Sequence, residues 1–308
     1  MPEPHTWRPG PKCVCRGGKD DLQFPLNPPP IHNLPLPPLQ RQVEKEFVAL
    51  AISEINRLKP AFAIVCGDHI QEWPDADYQK PSKDGKAKRL AKRATQVKEV
   101  NEMYDQIDPS IPLVCVCGNH DVGNRPSQAT IDAYRADFGQ DYFSFWIRGC
   151  KCIVVNSMLW TDDTDAKEIR KAHDEWVAGE LASAKAEGAA HTFMFGHIPA
   201  FIGSPDEVAN QYNFKPGVRT ELLEQWAAHG VSHYFCGHYH RNAGGVYESK
   251  ETPGQTVEVV CTGAVGTTFK VPDDVLKEVW ADSLLTKSVH AHHTHGPPWH
   301  QERLDRFA

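Results

Sequence analysis

Four apolar runs in this 308-residue chain end in the same way. "AFAIVC" runs into Gly67-Asp68, and "PLVCVC" into Gly118-Asn119-His120-Asp121. "HTFMF" runs into Gly196-His197, and "VSHYFC" into Gly237-His238-Tyr239-His240. Each glycine lets the chain turn sharply, and each turn is followed by a side chain able to hold a metal ion. Polar groups at the mouths of buried strands are costly unless something binds them. Oxygen and imidazole donors without thiolate suit Mn²⁺, Fe or Zn²⁺ rather than Cu(I) or an iron–sulfur cluster. One aspartate, one asparagine and three histidines are too many for a single tetrahedral zinc with an open position. They match two divalent ions sharing a carboxylate about 3.5–4 Å apart, the arrangement of two-metal hydrolytic sites. Each piece alone has a plainer reading, an Asx turn or a structural histidine; the weight lies in their recurrence.

Those groups can meet only if the intervening elements bring the strand ends to one edge. A helix starts near Leu39, with Val43, Phe47, Leu50, Ala51, Ile55 and Leu58 on one 3.6-residue face, and stops before Pro60. The lysine-rich stretch "KDGKAKRLAKRATQVKEVNEMYDQI" reads as a surface helix with a solvated basic face. Ser127 can cap a helix running to about Phe138, and "YFSFWI" and "CKCIVVNS" follow as strands. Asp165 to Glu187 and Val218 to His229 read as helices, and "TVEVVCTG" as a last strand. The alternation of strand and helix, with strands apolar throughout, indicates an α/β domain whose sheets are covered on both faces. In open α/β sheets the carboxyl ends of the strands are where ligands bind.

Composition narrows the function. The chain is 40% hydrophobic and 24% charged, ordinary for a globular domain. A net charge of −7 argues against nucleic acid or an anionic membrane as partner. No apolar run approaches the ~20 residues of a membrane span, and "MPEPHTWRPGPK" lacks the apolar core of an export signal. Most of the nine cysteines lie in apolar, β-branched runs, as small buried hydrophobes of a reducing compartment do. A cytoplasmic location is the expectation. Residues 1–20 are expected to be disordered, residues 21–275 to form the domain, and the histidine-rich residues 276–308 to be a disordered tail.

In order along the chain, Gly67-Asp68, "GNHD", "GHIP" and "GHYH" resemble the motifs of calcineurin-like metallophosphoesterases. The longer strings "YFSFW", "GNHDVGN" and "GHYHRNAGG" look like the calcineurin-like phosphoesterase domain-containing group of cytosolic eukaryotic protein phosphatases. The likeness covers roughly residues 21–270. It implies a β-sandwich of two mixed sheets flanked by helices, with two divalent ions at the strand carboxyl ends. It further implies that Asp68 bridges the ions, that Asn119, His197 and His238 complete one site, and that His240 belongs to the other. His120 would meet the phosphoryl or leaving-group oxygen. The family opens with Asp-x-His or Asp-x-Gln, for which this sequence offers only Asp21-Leu22-Gln23, behind the poor strand "KCVCRGGKD". Where many relatives place a carboxylate three residues after the bridging Asp, this chain has Gln71, leaving Glu72, Asp75 or Asp121 to orient His120.

The implied reaction is hydrolysis of a phosphate monoester, with phosphoserine or phosphothreonine in proteins as substrate. A metal-bound hydroxide attacks phosphorus and His120 protonates the leaving oxygen. Arg241 and Asn242, directly after the last ligand, and Asn156, at the end of "CIVVNS", are candidates to hold the phosphate. Two other functions compete: a phosphodiesterase for cyclic nucleotides or small diesters, and a degenerate, non-catalytic binding module.

Overall fold

The structure is a computed structural model that describes residues 39–74 and 85–265. Helix α1 (Leu39–Leu58) leads into strand β1 (Ala63–Val65), and helix α2 (Lys86–Tyr104) crosses over to strand β2 (Leu113–Cys115). A four-residue helix α3 (Asn119–Val122) and helix α4 (Gln128–Phe138) follow. Then come β3 (Phe143–Ile147), β4 (Cys150–Val154), α5 (Lys167–Ala186) and β5 (His191–Phe195). Helix α6 (Pro216–Ala228) precedes β6 (Val231–Cys236), β7 (Ala243–Glu248) and β8 (Thr256–Cys261).

β1 and β2 form a parallel pair, and the other strands a mixed sheet in the order β3-β4-β5-β6-β8-β7. The central strands β4, β5, β6 and β8 run parallel, with antiparallel β3 and β7 on the two edges. Strand alternation explains why the runs look apolar throughout. Cys152, Val154 and Phe195 point toward Val114, Val116 and Ile64 of the small sheet. Their neighbours Ile153 and Met194 point the other way, into a core shared with Val177 and Leu181 of α5 and Leu223 and Trp226 of α6. A third cluster joins Ala63 to Val48, Ile52 and Ile55 of α1 and Met103 of α2. The layers are therefore helix, large sheet, small sheet, helix, the flanked two-sheet architecture that the sequence implied. Among the described residues no helix is long and apolar enough to cross a membrane, and none of the seven described cysteines is in a disulfide.

Two expectations need correction. The buried side of α1 is formed by Val48, Ile52 and Ile55, and Leu50 is 54% exposed. Among the described residues α1 packs on α2 and the small sheet along one narrow stripe. The basic face of α2 is not simply solvated. Arg89 and Arg93 are buried, and they pair with Glu72 and Asp137 respectively. β7, "AGGVYE", went unnoticed in the sequence because its two glycines carry no strand signal. Ser127 caps α4 as expected, its hydroxyl accepting from Thr130 N.

Asp21 and Gln23, Asp75, the expected disordered N-terminus and the histidine-rich tail lie outside the described residues.

Candidate metal centre

The small and large sheets meet where their parallel strands end. Val116 N donates to Val65 O within the small sheet, and Gly196 N to Phe235 O and Gly237 N to His197 O within the large one, at 3.0 Å each; between the two sheets, His197 Nδ1 lies 2.7 Å from Cys66 O. This contact demands glycine. A Cβ on Gly118 would stand 2.3 Å from Asp68 Oδ1 and 2.4 Å from Asp68 N, and one on Gly67 would stand 2.4 Å from His197 Nδ1. The residues that follow are bent into an unusual backbone. Asp68, His238 and His240 have φ of +58°, +62° and +58°, a region that costs a non-glycine residue on the order of 1–3 kcal/mol and clusters at functional sites.

The result is one convergence of donor atoms. His197 Nε2 lies 3.3 Å from Asp68 Oδ2, 3.0 Å from Asn119 Oδ1 and 3.1 Å from His238 Nδ1. Asp68, His197 and His238 each turn one ligand atom to a common point, all within 4.8 Å of one another. The backbone fixes which ring nitrogens are available. His197 Nδ1 lies 2.7 Å from Cys66 O, and His238 Nε2 lies 3.0 Å from Gln211 O. A carbonyl only accepts, so both of those nitrogens carry the hydrogen. In neutral rings, His197 Nε2 and His238 Nδ1 then face each other with lone pairs, beside a carboxylate and an amide oxygen. Four acceptors in one place would be satisfied by a cation between them. The donor set, outer hydrogen bonds included, fits a divalent metal ion.

The electrostatics agree. Burial acts to raise the Asp68 carboxyl, yet His197, His120 and His238 outweigh it and hold that group well below the usual carboxylate range. Burial acts to lower His197, but Asp68 outweighs it and raises the ring above its ordinary value. His238 is pushed down to about 4 by burial and by its neighbour His197. His240 is close enough for its charge to be felt by His238.

His120 stands beside this cluster. Its backbone N–H donates to Asp68 Oδ1 at 2.8 Å. Among the described residues the orienting group for its ring is the carbonyl of Gln71, 2.6 Å from Nδ1. The Trp73 ring packs against the imidazole with centroids 4.4 Å apart. Nδ1 is thereby the hydrogen-bearing partner of the carbonyl, and Nε2 is left for proton exchange.

Asp121 has a different task from those weighed for it. Fully buried, its carboxylate accepts from Gly118 N at 2.7 Å, Asp68 N at 2.8 Å and His69 N at 3.1 Å, tying the two ligand loops together. Burial drives its carboxyl above the usual range. Glu72, another of those weighed, accepts from Arg89 Nε at 3.1 Å.

Of the phosphate-holding candidates, Asn156 is not brought to the site. It is fully buried, donates to Asp141 Oδ2 at 2.8 Å and accepts from Met158 N at 3.2 Å. The next residue, Ser157, is the one that serves the centre: its Oγ accepts from His197 N at 2.9 Å and Ile198 N at 3.0 Å. Asn242 is exposed and its Oδ1 accepts from Gly263 N, just past β8, at 2.8 Å, while Arg241 is half-buried beside His240. The carbonyls of Cys66, Gln71 and Gln211 are not legible in the sequence, because a backbone carbonyl leaves no trace in residue type, and Ser157 carries no motif that sets it apart from other serines.

The fold and this centre define a class, and sequence comparison agrees with it. The family described as calcineurin-like phosphoesterase matches residues 39–242, and the chain belongs to it. Within that family it is similar to "Serine/threonine-protein phosphatase CPPED1" of Danio rerio, 35% identical over 225 residues, covering 72% of this chain and 66% of that protein. The Homo sapiens protein of the same name is 34% identical over 219 residues, covering 70% and 63%. The chain thus spans just under two thirds of the length of these relatives. Among solved structures, a purple acid phosphatase from yellow lupin seeds has a TM-score of 0.49 at 12% identity, covering 75% of this chain and 41% of that one.

Proposed function

We propose that this chain is a dinuclear-metal phosphoesterase that hydrolyses phosphate monoesters, with phosphoserine and phosphothreonine in proteins as substrate. The observation that carries the reading is the convergence of Asp68, Asn119, His197 and His238 on one point, with both imidazole tautomers set so that lone pairs face inward. The likeness to serine/threonine-protein phosphatases supports the choice of monoester and protein.

In this reading Asp68 would serve both ions, Asn119, His197 and His238 would hold the first, and His240, together with Asp21 and Gln23, would hold the second. Divalent ions bound there would neutralise phosphoryl oxygens and acidify a water. The protein's own contribution centres on His120. Gln71 O and Trp73 hold its ring so that Nε2 can give a proton to the departing alkoxide, a role worth roughly 10²–10⁴-fold. Arg241 and Asn242, following His240 on the same turn, serve to hold the phosphate.

Metal content per chain by mass spectrometry tests the reading, together with turnover of p-nitrophenyl phosphate, bis-p-nitrophenyl phosphate and a phosphoserine peptide. Two ions per chain with monoester preference are expected. Diester preference would make it a phosphodiesterase. One ion or none, with no turnover, would make it a binding module.

A further inference from the structure

The loop between β5 and α6 is built like a small machine around two residues that touch no candidate ligand. Glu207 gathers one end of it: its carboxylate accepts from Ile202 N at 2.8 Å, Gly203 N at 2.8 Å and Ser204 N at 3.1 Å. The same carboxylate accepts from Asn213 Nδ2 at 2.5 Å. From α6, the buried guanidinium of Arg219 braces the loop, donating to Pro205 O and Glu207 O at 2.7 Å each and to Phe214 O at 2.8 Å. Two asparagines relay the arrangement onward. Asn213 Oδ1 accepts from Asn210 N at 2.9 Å, and Asn210 Oδ1 accepts from Tyr212 N at 2.8 Å. These bonds bracket Gln211 on both sides. Its carbonyl is what receives the His238 Nε2 hydrogen at 3.0 Å, and the Tyr212 ring packs against His238 at 5.8 Å.

We infer that Glu207 is a positioning residue for the metal centre, acting through Asn213 and Asn210 on the Gln211 carbonyl. By fixing that carbonyl, it keeps the hydrogen of His238 on Nε2 and the lone pair of Nδ1 aimed at the ion. The inference rests on the metal-binding reading above and adds an outer shell to it. A carboxylate is needed because four donors converge on two oxygens. Glutamine at the same position would set an NH₂ against those donors. Nothing else in the loop offers an anion aimed at these N–H groups.

The test uses the full chain stripped of metal, titrated with Mn²⁺ alone in a calorimeter. Alongside it, a long-range ¹H–¹⁵N spectrum reports the tautomer of His238. Glu207→Gln should weaken Mn²⁺ binding by about 10–100-fold, the usual cost of losing an outer-shell partner, and the Nε2–H signature of His238 should give way to a mixture. Asn210→Ala keeps the carboxylate and breaks only the last link, so it should fold and show a smaller loss in the same direction. Glu224→Gln is the control. It disturbs a carboxylate at the far end of the edge strand β7, where Glu224 holds Tyr247 and Ser249, and should lower stability without changing affinity. Affinities of both loop variants within twofold of wild type, with His238 still carrying its hydrogen on Nε2, would overturn the inference. So would an equal loss in Glu224→Gln. A wild-type chain that binds no Mn²⁺ would take down the metal reading and this inference together; binding that survives in both loop variants removes the inference alone.

Discussion

Adding one methyl group at Gly118 tests whether the centre depends on the close approach of two loops. The new Cβ would lie 2.3 Å from Asp68 Oδ1 and 2.4 Å from Asp68 N, whereas ordinary contact begins near 3.4 Å. One of those atoms belongs to the backbone and cannot swing away, so the Asp68 loop must retreat by about 1 Å. Retreat strains the 2.8 Å bond from His120 N to Asp68 Oδ1 and the bonds of Asp121 Oδ2 to both loops. Overpacking of this kind costs ~1–3 kcal/mol, and a hydrogen bond to a charged group is worth ~1.5–3 kcal/mol. A loss of roughly 2–4 kcal/mol follows, or a Tm lower by on the order of 5–15 °C for a domain of this size. Activity should fall further than stability, because a ~1 Å misplacement of a reacting group costs on the order of 10²-fold. Gly179→Ala is the matched control. That glycine lies inside α5 with nothing within 4 Å of its would-be Cβ, so alanine should stabilise the helix by up to ~1 kcal/mol and leave turnover alone. Differential scanning calorimetry, metal content and kcat/KM on p-nitrophenyl phosphate give the comparison. If Gly118→Ala kept wild-type metal content and kcat/KM within about threefold, the closeness of these loops would have no bearing on function, and our account of the centre would fail.

His120→Ala should leave metal content near wild type while slowing turnover, more for a phosphoserine peptide than for p-nitrophenyl phosphate, whose leaving group departs without a proton; equal losses on the two substrates would contradict the proton-donor role. Asn156→Ala should lower stability by ~1–3 kcal/mol by leaving Asp141 Oδ2 without its buried donor, with KM unchanged, and a KM effect without a Tm effect would return Asn156 to the substrate. Glu224 gives a pH dependence. Burial acts to raise its carboxyl, but Ser249, Tyr247 and the N–H groups of Lys250 and Glu251 outweigh it and bring the carboxyl down to about 2, from an ordinary value of 4.5. Its contribution to stability is therefore fully present above pH 4.5 and lost as pH falls from 4.5 to 2. Urea unfolding of wild type and Glu224→Gln should show a difference at pH 6 that shrinks through that window; a difference that stays constant to pH 2.5 would mean the carboxylate is not what the network holds.

The sequence by itself determined the alternation of strand and helix and picked out Asp68, Asn119, His197 and His238, which the structure brings together. Strands such as "HTFMF" and "VSHYFC" are legible because their carboxyl-terminal halves, Phe193–Phe195 and Tyr234–Cys236, are apolar at successive positions and covered on both faces, so the glycine and polar residue that follow mark the end. That mark is where Asp68, Asn119, His197 and His238 stand, and a glycine before each showed that the chain turns there. Only the tertiary structure decided how those groups are used. Asp121 could not be told from an orienting carboxylate for His120 until the Gly118, Asp68 and His69 N–H groups were seen to converge on it. Asn156 read as a phosphate ligand from its place at a strand end, yet the chain turns its amide into the core toward Asp141. Arg89 and Arg93 read as solvated because the partners that bury them, Glu72 and Asp137, are distant in sequence. The orientation of all three imidazoles comes from the carbonyls of Cys66, Gln71 and Gln211. A carbonyl is present at every residue, so residue type cannot signal which one will be aimed at a histidine; that is set by where the backbone passes once the sheets have packed.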